Sequence, residues 1–270
     1  MALSRDGTAY DLTGPPGAPV VTLIHGLGLT RDSTWGAIAP VLVQKFRVLS
    51  YDLLGHGQTV LPQGQISLSA LGAQLAGLLN ELRIDRTAMV GFSLGGMINR
   101  RMAMDHPDRV AALVVLNSPH ERSAEAQKLV EARARDTGTG GPAANLDETL
   151  ARWFTDRFRR DHPGVVAAVR DVVLANDPGN YSAHRQILAS GVIELIRPDP
   201  PISQPTLVMT CENDTGSTPE MAHAIACEIP GARTVIVPTL QHLGLIERPR
   251  LFADPVCTFL FQTVTAGQTR

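Results

Sequence analysis

The segment Gly91-Phe92-Ser93-Leu94-Gly95-Gly96 decides the fold, because it places a serine between an apolar run and a helical pattern. The apolar run covers residues 88–90, and the helical pattern opens at Met97. A serine at such a junction sits on a sharp, strained turn, and residues two positions away must lack side chains for strand and helix to pass. Gly91 and Gly95 meet that demand. No Lys-Ser or Lys-Thr pair closes the segment, so it does not fit a phosphate-binding loop.

Short apolar runs bounded by turn residues recur on both sides of this segment. They show no alternation and are rich in valine and leucine, as in strands buried on both faces. Helical patterns separate most of them, with apolar residues three and four positions apart. The alternation predicts an α/β fold with a mostly parallel, doubly wound sheet. The predicted strands are 20–24, 48–51, 88–90, 112–116, 206–210 and 234–237, and the predicted helices are 35–43, 68–82, 97–104, 221–228 and 250–261.

Residues 119–201 interrupt this alternation, since they contain several amphipathic segments and no convincing strand. We interpret them as a helical cap, or lid, inserted between two strands of a core domain formed by residues 1–118 and 202–270. Such insertions typically lie over the carboxyl ends of strands, where ligands bind. A purely structural subdomain is the alternative. The chain before Val20 is short and leaves little room for a leading pair of antiparallel strands.

Two residues far from Ser93 are candidates to activate it. A hydroxyl is a weak nucleophile at neutral pH and needs a base within hydrogen-bond reach. His242 follows the last predicted strand, in a loop expected at the carboxyl edge of the sheet. The base in turn needs a carboxylate that fixes its tautomer and stabilises its charged form. Asp214 follows the strand 206–210 in a polar turn, and its neighbour Glu212 is the alternative.

Attack on a carbonyl builds negative charge on its oxygen, which preorganised donors must stabilise. Two backbone N–H groups are candidates. One belongs to Leu94, directly after the serine, and the other to Leu27 in the loop His25-Gly26-Leu27-Gly28. The alternative for this loop is a plain turn.

Composition excludes several other classes of protein. The 270 residues are 44% hydrophobic and 19% charged, with a formal net charge of −2 and no long block of either sign. We therefore expect a globular chain that binds neither nucleic acid nor a membrane. The segment 1–6 reaches an acidic residue before any apolar stretch, so a cytoplasmic location is expected. Three cysteines, at 211, 227 and 257, lack zinc-site spacing and are predicted to be buried free thiols, and no metal or cofactor is expected.

Taken together, these motifs resemble the α/β-hydrolase family over nearly the whole chain. They occur in the family's order: His25-Gly26, Asp52-x-x-Gly55-His56-Gly57, the serine segment, the acid with Thr218-Pro219, and His242 with Glu247 and Pro249. The resemblance implies a serine, acid and histidine triad, and a structural role for Asp52 and His56. The order of the three candidates along the chain agrees with this family.

The insertion carries a closer resemblance. Trp153-Phe154-Thr155 with Phe158, followed by Asp177-Pro178 and Tyr181, is similar to the lid of 3-oxoadipate enol-lactonases and related carboxylic-ester or lactone hydrolases. This implies that Trp153, Phe154 and Phe158 contact the substrate. The same spacing also arises when these side chains only pack a helix core.

The predicted function is hydrolysis of a small-molecule ester or lactone through an acyl-enzyme on Ser93. Two alternatives stay open at this point. The same triad can cleave a carbon–carbon bond in a β-diketone or ring-fission product, and a hydrolase fold can also serve as a non-catalytic ligand receptor. Dehalogenases and epoxide hydrolases of this fold are disfavoured, because they need an aspartate where Ser93 stands.

Overall fold

A computed structural model describes residues 1–264, apart from the side chains of residues 137 and 139. Its centre is an eight-stranded sheet in the order β1-β2-β4-β3-β5-β6-β7-β8. All six strands predicted from the apolar runs are present, which confirms the predicted fold class. The strands are β1 (Ala2–Leu3), β2 (Ala9–Thr13), β3 (Val20–Ile24), β4 (Arg47–Tyr51), β5 (Thr87–Phe92), β6 (Val110–Leu116), β7 (Thr206–Cys211) and β8 (Arg233–Val237).

Strands β3 to β8 pair in parallel, whereas β1 and β2 extend the sheet antiparallel beyond β4. The expectation that the amino terminus is too short for such a pair was therefore wrong. β1 has only two residues, and a tight turn follows it, in which Ser4 N–H donates to Thr8 O at 2.9 Å. Gly7 takes a positive φ of 76° within this turn, which glycine adopts without strain.

Twelve α-helices accompany these strands within residues 1–264. One predicted helix and one amphipathic segment of the insertion, residues 146–158, are each split into two helices. The segment 35–43 is interrupted at Gly36, and 146–158 is broken where the Thr155 side chain caps a new helix by accepting from Phe158 N–H. The helices are α1 (Arg31–Trp35), α2 (Ala39–Leu42), α3 (Leu68–Glu81), α4 (Leu94–Asp105), α5 (Ala124–Gly140), α6 (Leu146–Trp153), α7 (Asp156–Asp161), α8 (Pro163–Leu174), α9 (Pro178–Ser190), α10 (Pro219–Cys227), α11 (Gly244–Glu247) and α12 (Arg250–Val264).

The central strands form the core. Every residue of β5 and of β7 is buried, and α4 packs on β5 and β6 through a face that includes Met97, Ile98 and Met102. Burial on both faces explains the unbroken apolar runs of these strands. The carboxyl ends of β5, β7 and β8 therefore emerge from a rigid, close-packed platform.

Helices α5 to α9 lie between β6 and β7, in the part of the chain predicted to be a cap. We refer to residues 119–201 as the helical segment. Within this segment, the most extensive packing is between α5 and α9. The predicted core domain extends to residue 270, and its last part, 265–270, lies outside the described residues. None of the helices in the described part of the chain has the length and apolar character needed to cross a membrane.

The cysteines differ from one another in exposure. All three are free thiols, as predicted, but only Cys211 is buried, since Cys257 is half-buried and Cys227 is exposed. The prediction that all three are buried was wrong for Cys227, because this residue ends α10 on a face turned away from the sheet. An apolar neighbourhood in sequence does not fix which face of a helix a residue occupies.

Candidate active site

Ser93 lies on the sharp turn between β5 and α4 that the sequence predicted. Its backbone has φ 55° and ψ −113°, a sparsely populated conformation for a residue with a side chain. Its N–H donates to Leu116 O at 2.8 Å, and its carbonyl accepts from Gly96 N–H at 3.0 Å. The strained turn is thus held by hydrogen bonds on both sides, and Ser93 is 5% exposed.

The glycines beside Ser93 are required by close backbone contacts. A Cβ atom on Gly91 would lie 2.1 Å from the carbonyl oxygen of Gly95. A Cβ atom on Gly95 would lie 2.1 Å from the carbonyl oxygen of Ile24. Neither space admits a methyl group unless backbone moves, so these positions need glycine for the reason inferred from the sequence.

His242 and Asp214 form a hydrogen-bonded pair at the carboxyl edge of the sheet. His242 Nδ1 lies 2.7 Å from Asp214 Oδ2. Since the carboxylate accepts, we assign the proton to Nδ1, which leaves Nε2 as the basic nitrogen. The His242 side chain is 12% exposed and that of Asp214 is 1% exposed, so the pair is largely shielded from water.

Hydrogen bonds satisfy both carboxylate oxygens of Asp214. Its Oδ1 accepts from the N–H groups of Gly216 at 2.9 Å and Ser217 at 3.0 Å, and its Oδ2 also accepts from Asn117 Nδ2 at 2.9 Å. Burial alone raises the pKa of Asp214, but His242 and the other hydrogen bonds outweigh it and hold the pKa below its ordinary value. The residue is therefore a stable carboxylate at neutral pH.

Glu212, the alternative acid, is bound elsewhere. Its Oε2 accepts from the backbone N–H of Thr239 at 2.8 Å, in an exposed turn. The geometry thus favours Asp214 over Glu212 as the partner of the histidine.

The two candidate oxyanion donors lie on either side of Ser93. Leu94 is the first residue of α4, where N–H groups have no acceptor within the helix and the helix dipole favours negative charge. The N–H of Leu27 has no acceptor among residues 1–264. Leu27 also lines the same cavity as Ser93. Both groups are thus available to an oxyanion formed at the serine.

Buried histidines and an asparagine hold the loop that carries Leu27. The N–H of Gly28 donates to His56 Nε2 at 3.1 Å, and the Asn176 side chain donates to Gly28 O at 3.0 Å. His25 Nε2 in turn accepts from Leu53 N–H at 2.9 Å. Asn176 comes from the helical segment, so both parts of the chain position this loop.

The ring of His184, on α9, packs edge-on against the ring of His56 with centroids 4.6 Å apart. Its Nδ1–H donates to Asn180 O at 2.9 Å. Burial lowers the pKa of His184 to about 4, and burial also lowers the pKa values of His25 and His56. These rings are neutral near pH 7 and act as fixed hydrogen-bonding groups.

Ser93, Asp214 and His242 line a common cavity of ≈ 160 Å³ between the sheet edge and the helical segment. Its walls are mainly apolar, with Leu27, Phe92 and others. The described residues contain no direct hydrogen bond between the Ser93 hydroxyl and His242. Such catalytic contacts are often long before substrate binds and tighten in the complex.

The three aromatic residues predicted to contact substrate do not share one location. Trp153 lines the cavity, and its ring lies 6.1 Å from that of His242. Phe154 is 0% exposed and stacks on Phe158 with centroids 5.3 Å apart, and neither ring lines the cavity. The structure thus brings Trp153 to the site and places the other two in the packing between α6 and α7.

The turn between α6 and α7 is also bound to the histidine loop. Leu243 N–H donates to Trp153 O at 2.8 Å, and Glu247 accepts from the Thr155 backbone at 2.7 Å and from its hydroxyl at 2.8 Å. These bonds fix the position of Trp153 relative to His242. They also give Glu247, which follows His242 in the sequence, a structural role.

Sequence reasoning missed two groups of residues. Asn117 takes a positive φ of 46° directly after β6 and binds Asp214, and its position at a strand's carboxyl end was the only signal for it. The other group comprises arginines from the helical segment that line the cavity: Arg122, Arg133, Arg152 and Arg185. Within residues 1–264, no group of three or more His, Cys, Asp or Glu side chains is arranged to hold a metal ion.

The sheet, the serine turn and the pair Asp214–His242 define a class of protein, and comparison with known sequences gives the same class. Residues 19–249 match the family described as alpha/beta hydrolase fold. The chain belongs to this family and is an enzyme of the hydrolase class.

Particular relatives narrow the comparison. The chain is 28% identical over 249 residues to 3-oxoadipate enol-lactonase 2 of Acinetobacter baylyi, covering 92% of this chain and 90% of the relative. The crystal structure of the enol-lactonase from Burkholderia xenovorans is similar with a TM-score of 0.84 and 31% identity, covering 94% of this chain and 96% of that one. A thermophilic esterase from Thermogutta terrifontis is similar with a TM-score of 0.82 and 29% identity, over 95% and 93%.

Proposed function

We propose that this hydrolase cleaves carboxylic esters or lactones through an acyl-enzyme on Ser93. The observation that carries the proposal is the convergence of Ser93 and the buried pair Asp214–His242 on one cavity. The names of the relatives, an enol-lactonase and an esterase, agree with this substrate class.

In the proposed reaction, Ser93 Oγ attacks the carbonyl carbon while His242 Nε2 takes the hydroxyl proton. The carbonyl oxygen becomes an oxyanion that accepts hydrogen bonds from the N–H groups of Leu27 and Leu94. As the intermediate collapses, the bond to the leaving oxygen breaks and His242 returns the proton to that oxygen. A water molecule then attacks the acyl-enzyme, with His242 again as base, and releases the acid and free Ser93.

Asp214 stabilises the imidazolium of His242 in both halves of this reaction without taking its proton. Its four hydrogen bonds and lowered pKa support that role, because a carboxylate held in this way resists protonation. We further propose that residues 119–201 act as a cap on a core formed by 1–118 and 202–270. Trp153, which lies beside His242, supports this part of the proposal.

Replacing Ser93 by alanine tests the proposed function. Turnover of a p-nitrophenyl ester and of an enol-lactone should fall on the order of 10⁴-fold or more, because the nucleophile is removed while the fold is kept. Ser190→Ala is the matched control, since this exposed serine only caps a carbonyl within α9. Circular dichroism checks that both variants fold.

The outcomes separate the proposal from its alternatives. Substantial activity in Ser93→Ala contradicts the proposal. If the wild-type enzyme turns over a vinylogous diketone but hydrolyses no ester or lactone, the same residues cleave a carbon–carbon bond. A single slow event per chain with every substrate indicates a receptor.

A further inference from the structure

Arginine side chains from four parts of the helical segment line the cavity that contains Ser93. Arg122 lies in the loop after β6, Arg133 on α5, Arg152 on α6 and Arg185 on α9. The rest of that wall is mostly apolar, including Leu129, Val130 and Leu188. An apolar pocket with a few convergent charged groups is the usual form of a specific small-molecule site.

Three of these arginines form no direct ion pair with a carboxylate of the described residues. Among the described residues, no Asp or Glu oxygen lies within 4.0 Å of Arg122, Arg152 or Arg185. Within residues 1–264, Asp214 is the only carboxylate that lines the cavity, and it accepts hydrogen bonds from His242 and Asn117. The cavity wall therefore carries positive charge that no direct ion pair among the described residues neutralises.

Neutral groups orient two of these side chains. Arg122 donates to the carbonyl oxygens of Leu188 at 3.4 Å and Ala189 at 3.3 Å, and Arg152 donates to Thr149 Oγ1 at 3.2 Å. The Nε atoms of Arg122, Arg152 and Arg185 are buried and have no hydrogen-bond partner in the part of the chain that the structure describes. A buried donor left without a partner costs free energy unless a ligand satisfies it.

The arginines also repel one another. Burial, together with the charges of Arg133 and Arg185, lowers the pKa of Arg152 to about 10. Burial and the charge of Arg185 likewise lower the pKa of Arg122. The groups remain protonated at neutral pH, so the fold bears the cost of holding like charges together. Such preorganised charge strengthens the binding of an anion, because little further ordering is needed.

We propose that Arg122, Arg152 and Arg185 form an anion subsite of this cavity, and that the substrate carries a carboxylate or a phosphate in addition to the carbonyl that reacts. The position of the reacting carbonyl rests on the proposed function of Ser93. The binding of the anion does not require Ser93 to react, which allows the two proposals to be tested separately.

The first test compares two esters of equal acyl length. Mono-p-nitrophenyl glutarate ends in a carboxylate, whereas p-nitrophenyl valerate ends in a methyl group. The wild-type enzyme should favour the glutarate ester by about tenfold or more in kcat/KM, because charge-assisted hydrogen bonds to guanidinium groups are among the stronger ones. Equal kcat/KM values for the two esters would contradict the anion subsite and leave the hydrolase proposal standing.

The second test measures anion binding without turnover. The Ser93→Ala variant should bind glutarate or inorganic phosphate in calorimetry, and the preferred anion distinguishes a carboxylate from a phosphate subsite. This measurement decides the matter even if the wild-type enzyme hydrolyses neither ester. Absence of binding by both anions would overturn the inference.

Variants then assign the effect to particular arginines. Arg185→Met and Arg152→Met should lower kcat/KM for the glutarate ester relative to kcat/KM for the valerate ester, so that the preference for the glutarate ester is lost. The control is Arg157→Met, since that side chain on α7 is 80% exposed and outside the cavity. It should keep the full preference.

A thermal measurement separates ligand binding from a structural role. Removing an unpaired buried charge should leave the Tm of Arg185→Met equal to or above that of the wild type. A lowered Tm with an unchanged ester preference would show that Arg185 serves the fold and not the ligand.

Discussion

The buried carboxylate of Asp214 at the carboxyl edge of the sheet and the buried arginines of the helical segment differ in how many of their hydrogen bonds the protein supplies. At the sheet edge, Asp214 accepts hydrogen bonds from His242, Asn117, Gly216 and Ser217 and has no unmet need. In the helical segment, the arginines that line the cavity have buried Nε atoms at positions 122, 152 and 185 with no hydrogen-bond partner among the described residues. The protein itself satisfies the Asp214 carboxylate, whereas we propose that a bound anion satisfies the arginines.

The difference follows from how each region is held. The candidate catalytic residues extend from strands whose ladders and close packing fix the backbone, so their hydrogen bonds can be built without a substrate. The helices of the segment are joined by loops and meet the sheet edge through a few bonds, such as those of Asn176 and Thr155. Under the two proposals, the residues that react lie on the sheet and the residues that select the substrate lie on the helical segment.

The largest effect is expected when the negative charge of Asp214 at the sheet edge is removed. Asp214→Asn should lower kcat on the order of 10³-fold or more, because the amide cannot stabilise the imidazolium and favours the wrong tautomer of His242. Steady-state kinetics with a p-nitrophenyl ester measure the loss.

Glu212→Gln is the matched control for this change. Its carboxylate binds only Thr239 N–H in an exposed turn, so kcat should stay close to that of the wild type. A large loss of kcat in Glu212→Gln with little loss in Asp214→Asn would show that Glu212 is the acid. It would also contradict the contrast drawn between the sheet edge and the helical segment.

A smaller effect concerns His184, which joins the helical segment to the histidines behind the Leu27 loop. Burial lowers its pKa from the usual 6.5 to about 4, so the unfolded chain binds its proton more readily than the folded protein. The stabilising contribution is complete above pH 6.5 and is lost as the pH falls towards 4. Between about pH 7.5 and about pH 5, His184 should account for roughly 2 kcal/mol of lost unfolding free energy.

Urea unfolding at these two pH values measures the effect. His184→Gln should lose less stability on acidification than the wild type does. The exposed His223 on α10 offers the control, and His223→Gln should behave like the wild type. An acid loss unchanged in His184→Gln would mean that the ring is not kept neutral by burial.

The smallest effect concerns the bond between Asn176 and the Leu27 loop. Asn176→Ala removes the donor to Gly28 O and should lower kcat by about tenfold with little change in KM, since the loop's N–H acts on the oxyanion and not on the ground state. Asn80→Ala is a suitable comparison, because Asn80 binds Arg109 on the far side of the core. A rise in KM at constant kcat would instead place Asn176 in substrate binding and sharpen the role of the segment.

Much of the sheet edge was predictable from sequence. The serine turn, the strands on either side and the helices between them follow from local patterns, namely glycine spacing, apolar runs and helical periodicity. Ser93, Asp214 and His242 were identified because each follows a strand, and parallel strands bring their carboxyl ends to one edge. The sequence favoured Asp214 but kept Glu212 as the alternative, since both follow β7 within three residues, and the hydrogen bond to His242 supports Asp214.

The helical segment was predictable only in outline. Its helical character is visible in the sequence, but Trp153 lines the cavity whereas Phe154 and Phe158 stack against each other. No sequence pattern distinguishes Arg122, Arg152 and Arg185, which line the cavity, from the other arginines of the chain.

The sequence by itself determined the fold class and the candidate nucleophile, because the constraints that set them act between residues close along the chain. The tertiary structure alone decided which side chains share the cavity, how Asn117 completes the setting of Asp214, and that a pair of short leading strands fits before Val20. These features depend on the rotation of each helix about its axis and on contacts between residues far apart in sequence, and no local spacing encodes either.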